Sequence, residues 1–133
     1  FGSWDEAARE MGERLKDVYP HWSDEQMLTF VRRTCREMPD GSIGFDYDMN
    51  IAVPFAEANE SNAFDLWPLL GGLKGKPVVL LRGELSDLLS PEVAERMVAE
   101  LGAEAELVTV PGVGHAPVLD EPEAEAALDR LLE

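Results

Sequence analysis

The strongest constraint on the fold lies in the second half of the chain, where strand patterns alternate with helix patterns. The stretch KPVVLLRG is a continuous run of β-branched and leucine residues bounded by Pro77 and Gly83, which is typical of a strand buried on both faces of a parallel sheet. A helix follows, with Ser90 at its N-cap and Pro91 at its first position. The strand AELVTV and the helix EPEAEAALDRLLE come next, so the order predicts an α/β fold with a βαβα unit.

Two parallel strands are too few for a complete sheet of this kind. Both outer edges would expose unpaired backbone groups, and the helices would have too little sheet to cover. The chain also begins at Phe1, inside what reads as a helix-capping sequence. We therefore expect that further strands lie upstream, and that this chain pairs either with that missing N-terminal half or with another copy of itself.

The first part of the chain has the periodicity of amphipathic helices. A first apolar stripe recurs at steps of three and four residues, with Ser3 as its N-cap and Glu6 completing a capping box. It consists of Trp4, Ala7, Ala8, Met11, Leu15 and Val18. The Tyr19-Pro20 pair predicts the end of this helix, because the residue before proline is disfavoured in the α region.

A second helix is predicted to begin after Ser23, with Gln26 at the capping-box position. Its apolar stripe consists of Met27, Leu28, Val31, Cys35 and Met38. The sequence Pro39-Asp40-Gly41 predicts its end, and residues 42–61 have poor periodicity, which favours a loop with one helical turn. A short helix is then expected in LWPLLGGL, capped by Asp65.

Composition narrows the classes of partner. The formal net charge of −16 opposes nucleic-acid backbones, and the short cluster Arg32, Arg33 and Arg36 lies in a helical pattern that favours a solvated face. No apolar run approaches the roughly 18 residues that a membrane span needs. We expect neither a nucleic acid nor a membrane as a partner.

The only cysteine, Cys35, excludes an internal disulfide and suits a reducing compartment, so we expect a cytoplasmic protein. With two histidines and one cysteine, no transition-metal cluster emerges, and no phosphate-loop or dinucleotide motif has the required glycine spacing. The sequence indicates no cofactor and no metal.

Each predicted strand is followed by a polar side chain suited to catalysis. Asp87 lies in the loop after the first strand, in GELSDLLS, and His115 lies in the loop after the second, in PGVGHAP. Catalytic groups gather at the carboxyl ends of strands in open α/β sheets, so we expect the two loops side by side. A carboxylate that accepts the Nδ1 proton of an imidazole orients it as a general base, which predicts Asp87 and His115 as a catalytic pair.

The stretches PVVLLRGELSDLLS and VTVPGVGHAPVLDEPE resemble the C-terminal part of the α/β-hydrolase family, in which the catalytic triad runs serine, acid, histidine along the chain. The resemblance implies that Asp87 is the acid and His115 the base. It also implies that residues 1–64 form a mainly helical cap region and that residues 65–133 form the C-terminal part of the core. The family's G-x-S-x-G nucleophile motif is absent from this sequence, so the nucleophile is expected upstream.

The resemblance implies hydrolysis of a small-molecule ester or related carbonyl substrate. The same acid and base would equally serve an upstream aspartate nucleophile, as in the family's epoxide hydrolases and dehalogenases. A different class also stays open, in which the chain is a non-catalytic module that binds through its open sheet edge. For an enzyme, the candidates to line the acyl pocket are Trp67, Phe55, Phe45 and Leu88.

Overall fold

The computed structural model describes residues 1–53 and 65–133, except for the side chains of Met49 and Ala52. These residues form two compact units. The first comprises Phe1–Lys16 and the described part of His21–Phe64, and the second comprises Asp17–Pro20 and Asp65–Glu133. Among the described residues, no helix is long and apolar enough to cross a bilayer.

The first unit is built on two capped helices, α1 (Trp4–Leu15) and α2 (Asp24–Thr34). The Ser3 side chain accepts a hydrogen bond from the Glu6 N–H at 3.1 Å, as predicted. The predicted capping box is not completed, because the Glu6 carboxylate accepts from the Gly2 N–H and not from the Ser3 N–H. At α2 the predicted box is complete, because Ser23 and Gln26 exchange both hydrogen bonds. The apolar stripes of the two helices form the core of this unit, with Ala7, Met11, Met27 and Val31 buried.

A short antiparallel hairpin follows α2, and here the sequence prediction is wrong. The helix ends at Thr34 and does not continue to Met38, because strand β1 (Cys35–Glu37) pairs with strand β2 (Ile43–Phe45). The intervening turn contains Gly41 at φ +82°, which a side chain would disfavour. Cys35 is buried, as predicted, but in a strand.

The predicted loop after this point is also only partly correct. Residues 43–45 belong to β2, and the one helical turn expected in 42–61 is a 3₁₀ turn at Met49–Ala52. The side chain of Asp48 accepts a hydrogen bond from the Asn50 N–H at 2.9 Å and so caps this turn.

The second unit contains the predicted βαβα arrangement. Strand β3 (Val78–Gly83) pairs in parallel with strand β4 (Ala105–Val110), in a register that sets Val78 opposite Ala105 and Gly83 opposite Val110. The connecting helix α4 (Pro91–Leu101) and the final helix α5 (Pro122–Leu132) both contact this sheet. The expected α/β fold class is thus confirmed.

Local signals explain the helix boundaries in this unit. The Ser90 side chain accepts from the Val93 N–H at 3.3 Å and caps α4, and Gly102 ends the helix at φ +97°. A short helix, α3 (Trp67–Leu70), continues into a 3₁₀ turn at Gly71–Leu73 ahead of β3. The N-cap of α3 is Leu66 and not the predicted Asp65, although the Asp65 carboxylate, one residue earlier, accepts from the Trp67 N–H at 3.0 Å.

Candidate active site

The carboxyl ends of β3 and β4 lie side by side and carry the two loops that the sequence singles out. The acid loop, Glu84–Leu89, leaves β3, and the histidine loop, Pro111–Asp120, leaves β4. The strands pair in parallel through their last residues, Gly83 and Val110, so both loops start at the same edge. This edge is where α/β proteins place their catalytic groups.

Three hydrogen bonds join the acid loop to the last residue of β4 and to the start of the histidine loop. The Glu84 N–H donates to the Val110 carbonyl at 2.8 Å, and the Leu85 N–H donates to the Val113 carbonyl at 2.9 Å. The Glu84 carboxylate in turn accepts from the Gly112 N–H at 2.9 Å. The bases of the loops are therefore held in a fixed mutual position.

Glycine is required where β3 meets the histidine loop. A Cβ on Gly83 would lie 2.6 Å from the Val113 carbonyl oxygen and closer still to that of Gly114. Both obstacles are backbone atoms, which cannot move aside as a flexible side chain could. Gly112, in the same loop, has φ +67°, a backbone conformation that a side chain would disfavour.

The side chain of Arg82 binds the main chain of the acid loop. It is 6% exposed, and its guanidinium donates to three main-chain carbonyls of the segment that follows. The Nε atom reaches the Leu89 carbonyl at 2.7 Å, and the two terminal nitrogens reach the carbonyls of Glu84 at 3.3 Å and Ser86 at 3.4 Å. A buried guanidinium requires such partners, so the loop is folded around it.

At the tip of the acid loop, Ser86 and not Asp87 is the hydrogen-bond neighbour of the histidine. The Ser86 hydroxyl lies 3.4 Å from His115 Nδ1, and it also accepts from the Leu89 N–H at 3.0 Å. Both Asp87 and His115 are exposed, and no hydrogen bond joins them. The structure brings the two predicted residues to the same edge without a hydrogen bond between them.

The histidine loop is fastened on its other side by residues that the sequence reasoning does not select. The Tyr19 hydroxyl donates to the Ala116 carbonyl at 2.8 Å, and the Gly114 N–H donates to the Val18 carbonyl at 2.6 Å. The Glu121 carboxylate accepts from the N–H groups of Val118 and Leu119, both at 2.9 Å.

The phenol of Tyr19 remains a donor across the neutral pH range. Burial raises the pKa of Tyr19, and the negative charge of Glu121 raises this pKa further. The sequence signals an end of helix at Tyr19-Pro20 and gives no sign of this contact, because the contact joins residues 97 positions apart.

The predicted pocket residues lie in different surroundings. The Arg96 guanidinium carbon lies 3.7 Å from the centroid of the half-buried Trp67 ring, a cation–π contact, and Leu88 is 75% exposed. The Phe45 ring packs edge-on against Phe1 at 6.2 Å and stacks with Tyr47 at 5.2 Å in the first unit. Phe55 lies outside the described residues.

A solved α/β hydrolase from Novosphingobium aromaticivorans matches 99% of this chain with a TM-score of 0.88 and 45% sequence identity. An E-2-(acetamidomethylene)succinate hydrolase has the same fold at a TM-score of 0.65 and 20% identity over 98% of the chain. The chain therefore has the α/β-hydrolase fold, as the sequence resemblance implies.

Among curated proteins, a 3-hydroxybutyrate-oligomer hydrolase from Cupriavidus necator is 41% identical over 83 residues, which cover 59% of this chain. No protein-family model matches the sequence. The chain spans 46% of the Novosphingobium hydrolase, and the aligned part covers 28% of the Cupriavidus protein. It thus corresponds to less than half the length of either relative.

Proposed function

We propose that this chain is the cap and C-terminal part of an α/β-fold hydrolase, to which it contributes the acid Asp87 and the base His115. The observation that carries the proposal is the pair of loops at the carboxyl ends of β3 and β4, which are joined by hydrogen bonds and present these two side chains. The 45% sequence identity to a solved α/β hydrolase, over 99% of this chain, supports the proposal. Residues 1–64 serve as the cap and residues 65–133 as the core part.

The proposed reaction is acyl transfer to water. His115 Nε2 takes the proton of an upstream serine hydroxyl as the serine oxygen attacks the ester carbonyl, and the same proton then passes to the departing alkoxide. His115 next deprotonates a water molecule, which attacks the acyl-enzyme, and the proton returns to the serine oxygen as it leaves. The nucleophile belongs to a part of the protein outside these 133 residues.

The acid has the task of holding the imidazole in the correct tautomer. A carboxylate that accepts the Nδ1 proton stabilises the imidazolium formed in each step. For Asp87 this requires the loop tip to place its carboxylate at Nδ1, where the Ser86 hydroxyl now lies at 3.4 Å. Asp87 is exposed at the tip and Ser86 is half-buried, so the proposal requires a rearrangement of these side chains that exchanges the partners.

An ester is the substrate class that best fits this chemistry. The Cupriavidus relative is named for hydrolysis of 3-hydroxybutyrate oligomers, which makes short hydroxyacyl esters the first substrates to test. The protein is expected to act on a small molecule in the cytoplasm.

The decisive experiment is active-site labelling of the full-length protein with a fluorophosphonate, followed by intact-mass and peptide mass spectrometry. Labelling of one serine outside this chain, abolished by His115→Ala in a folded protein, is the expected result. Turnover of an epoxide or a haloalkane without labelling would instead indicate an upstream aspartate nucleophile. If His115→Ala retains near-full activity on every substrate class, the role of His115 is refuted and a binding module becomes the better interpretation.

A further inference from the structure

The backbone on both sides of His115 is bound by one dipeptide that is distant in sequence. The Gly114 N–H, one residue before the histidine, donates to the Val18 carbonyl at 2.6 Å. The Ala116 carbonyl, one residue after it, accepts from the Tyr19 hydroxyl at 2.8 Å. Residues Asp17–Pro20 accordingly belong to the same compact unit as Asp65–Glu133, and not to the unit of the helices that flank them in sequence.

We propose that Val18 and Tyr19 form a clamp that positions the imidazole of His115 for catalysis. This inference rests on the proposed function, since it assigns Tyr19 a role only if His115 is the general base. Tyr19 does not touch the reacting atoms in this proposal. It acts through the main chain of the histidine loop and is a positioning residue.

The fit between the clamp and the loop is close enough to carry this role. A Cβ on Gly114 would lie 2.9 Å from Val18 Cγ1 and 3.0 Å from Val18 Cα, so a side chain at this position would force the loop and Val18 apart. Tyr19 is 7% exposed and buries a large ring beneath the loop, where its hydroxyl needs a partner.

The side chain of His115 makes few contacts that could fix its direction, so the contacts of its main chain are important. His115 is exposed, and its side-chain hydrogen bond is the long one, 3.4 Å, to Ser86. Its direction is therefore set mainly by the main chain that carries it. The clamp holds that main chain before and after His115, and Glu121 holds it further on at Val118 and Leu119.

General-base catalysis is sensitive to such positioning. A misplacement of a reacting group by about 1 Å can cost on the order of 100-fold in rate. Loss of the Tyr19 hydroxyl releases one of the two tethers beside His115. We therefore expect a reduced rate of the chemical steps with little change in substrate binding.

The test is Tyr19→Phe in the full-length protein, because phenylalanine keeps the ring and removes only the donor. With p-nitrophenyl butyrate as probe, kcat should fall about 10- to 100-fold while KM stays within about twofold. The rate of fluorophosphonate labelling should fall in proportion to kcat, since both need the same base. Tyr47→Phe is the matched control, because Tyr47 is the other tyrosine of the chain, is 51% exposed and lies outside this unit.

A double-mutant cycle separates positioning from general destabilisation. If Tyr19 acts through His115, then Tyr19→Phe should have no further effect on the residual activity of His115→Ala. Additive losses would overturn the clamp, as would wild-type kcat in Tyr19→Phe. Activity of His115→Ala near the wild-type level would instead overturn the proposed function itself.

Gly114→Ala gives a second, independent variant. Its added methyl group pushes the loop away from Val18 and should produce the same selective loss of kcat. Melting temperatures are measured for each variant, and assays are run well below the lowest of them. Unchanged kcat in folded Gly114→Ala would contradict the clamp.

Discussion

At the scale of single residues, the central question is which side chain would orient His115 in its proposed role as general base. The structure sets the Ser86 hydroxyl 3.4 Å from Nδ1, whereas Asp87 is exposed and makes no hydrogen bond with the histidine. A hydroxyl can fix a tautomer, but it cannot stabilise an imidazolium as a carboxylate does. The chemistry therefore favours Asp87 in the working enzyme.

Substitution of each residue separates the two possibilities. We expect Asp87→Asn to lower kcat by about 10⁴-fold, because the amide favours the wrong tautomer, and Ser86→Ala to leave kcat within about tenfold. Steady-state kinetics of both variants in the full-length protein provide the measurement. A collapse of activity in Ser86→Ala, with Asp87→Asn close to wild type, would show that the serine is the functional partner.

The position of Asp87 and His115 at one edge of the sheet could be predicted, because a carboxylate and an imidazole each follow a recognisable strand. Their catalytic role stays a prediction. Arg82, Tyr19 and Glu121 were not predictable in the same way. Each binds main-chain atoms of a loop, and no residue pattern records which carbonyl or N–H group a side chain will reach. Such contacts depend on the loop conformation, which the sequence alone does not specify.

At the scale of elements, the boundaries with strong capping signals were predicted well. Ser23 and Ser90 each cap the helix expected after them, because a side-chain oxygen satisfies an N–H that the helix leaves unpaired. The β1–β2 hairpin was missed for a physical reason. Cys35 and Met38 fit the helical stripe of α2, and a strand of three residues is too short to show its own period.

The Pro39-Asp40-Gly41 turn was the available signal for this hairpin. The Asp40 carboxylate accepts from the Ser42 N–H at 3.0 Å and from its hydroxyl at 2.6 Å. These hydrogen bonds hold the pKa of Asp40 below its usual value. Read as a turn between two strands, and not only as the end of a helix, the same residues indicate a hairpin.

The contact between β3 and the histidine loop yields a prediction at this scale. Gly83→Ala should destabilise the protein by at least about 3 kcal/mol, because its methyl group meets the carbonyls of Val113 and Gly114. Gly72→Ala is the matched control, with no atom within 4 Å of the added carbon, and it should change stability by less than about 0.5 kcal/mol. Urea unfolding of both variants measures the difference, and equal effects would contradict the close packing.

At the scale of the whole molecule, the described residues leave part of the apolar surface of the β3–β4 sheet uncovered. Val78, Val79, Leu80 and Leu81 of β3 are only half-buried, whereas their sequence is typical of a strand buried on both faces. Within residues 1–53 and 65–133, β3 and β4 form a sheet of two strands. Further strands remain a prediction from the sequence, because a two-stranded parallel sheet lacks partners for its outer edges.

The residues upstream of this chain are therefore expected to complete the sheet, and the isolated 133-residue chain provides the test. Expressed alone, it should self-associate through its exposed strand edges and elute from size-exclusion chromatography above its mass of 14.7 kDa. Its net charge of −16 opposes non-specific aggregation, so association despite this charge would point to strand pairing. Hydrogen exchange adds a local readout, since amides of β3 and β4 should exchange faster in the isolated chain than in the full-length protein. A stable monomer that protects both strands fully would contradict the need for a completing half.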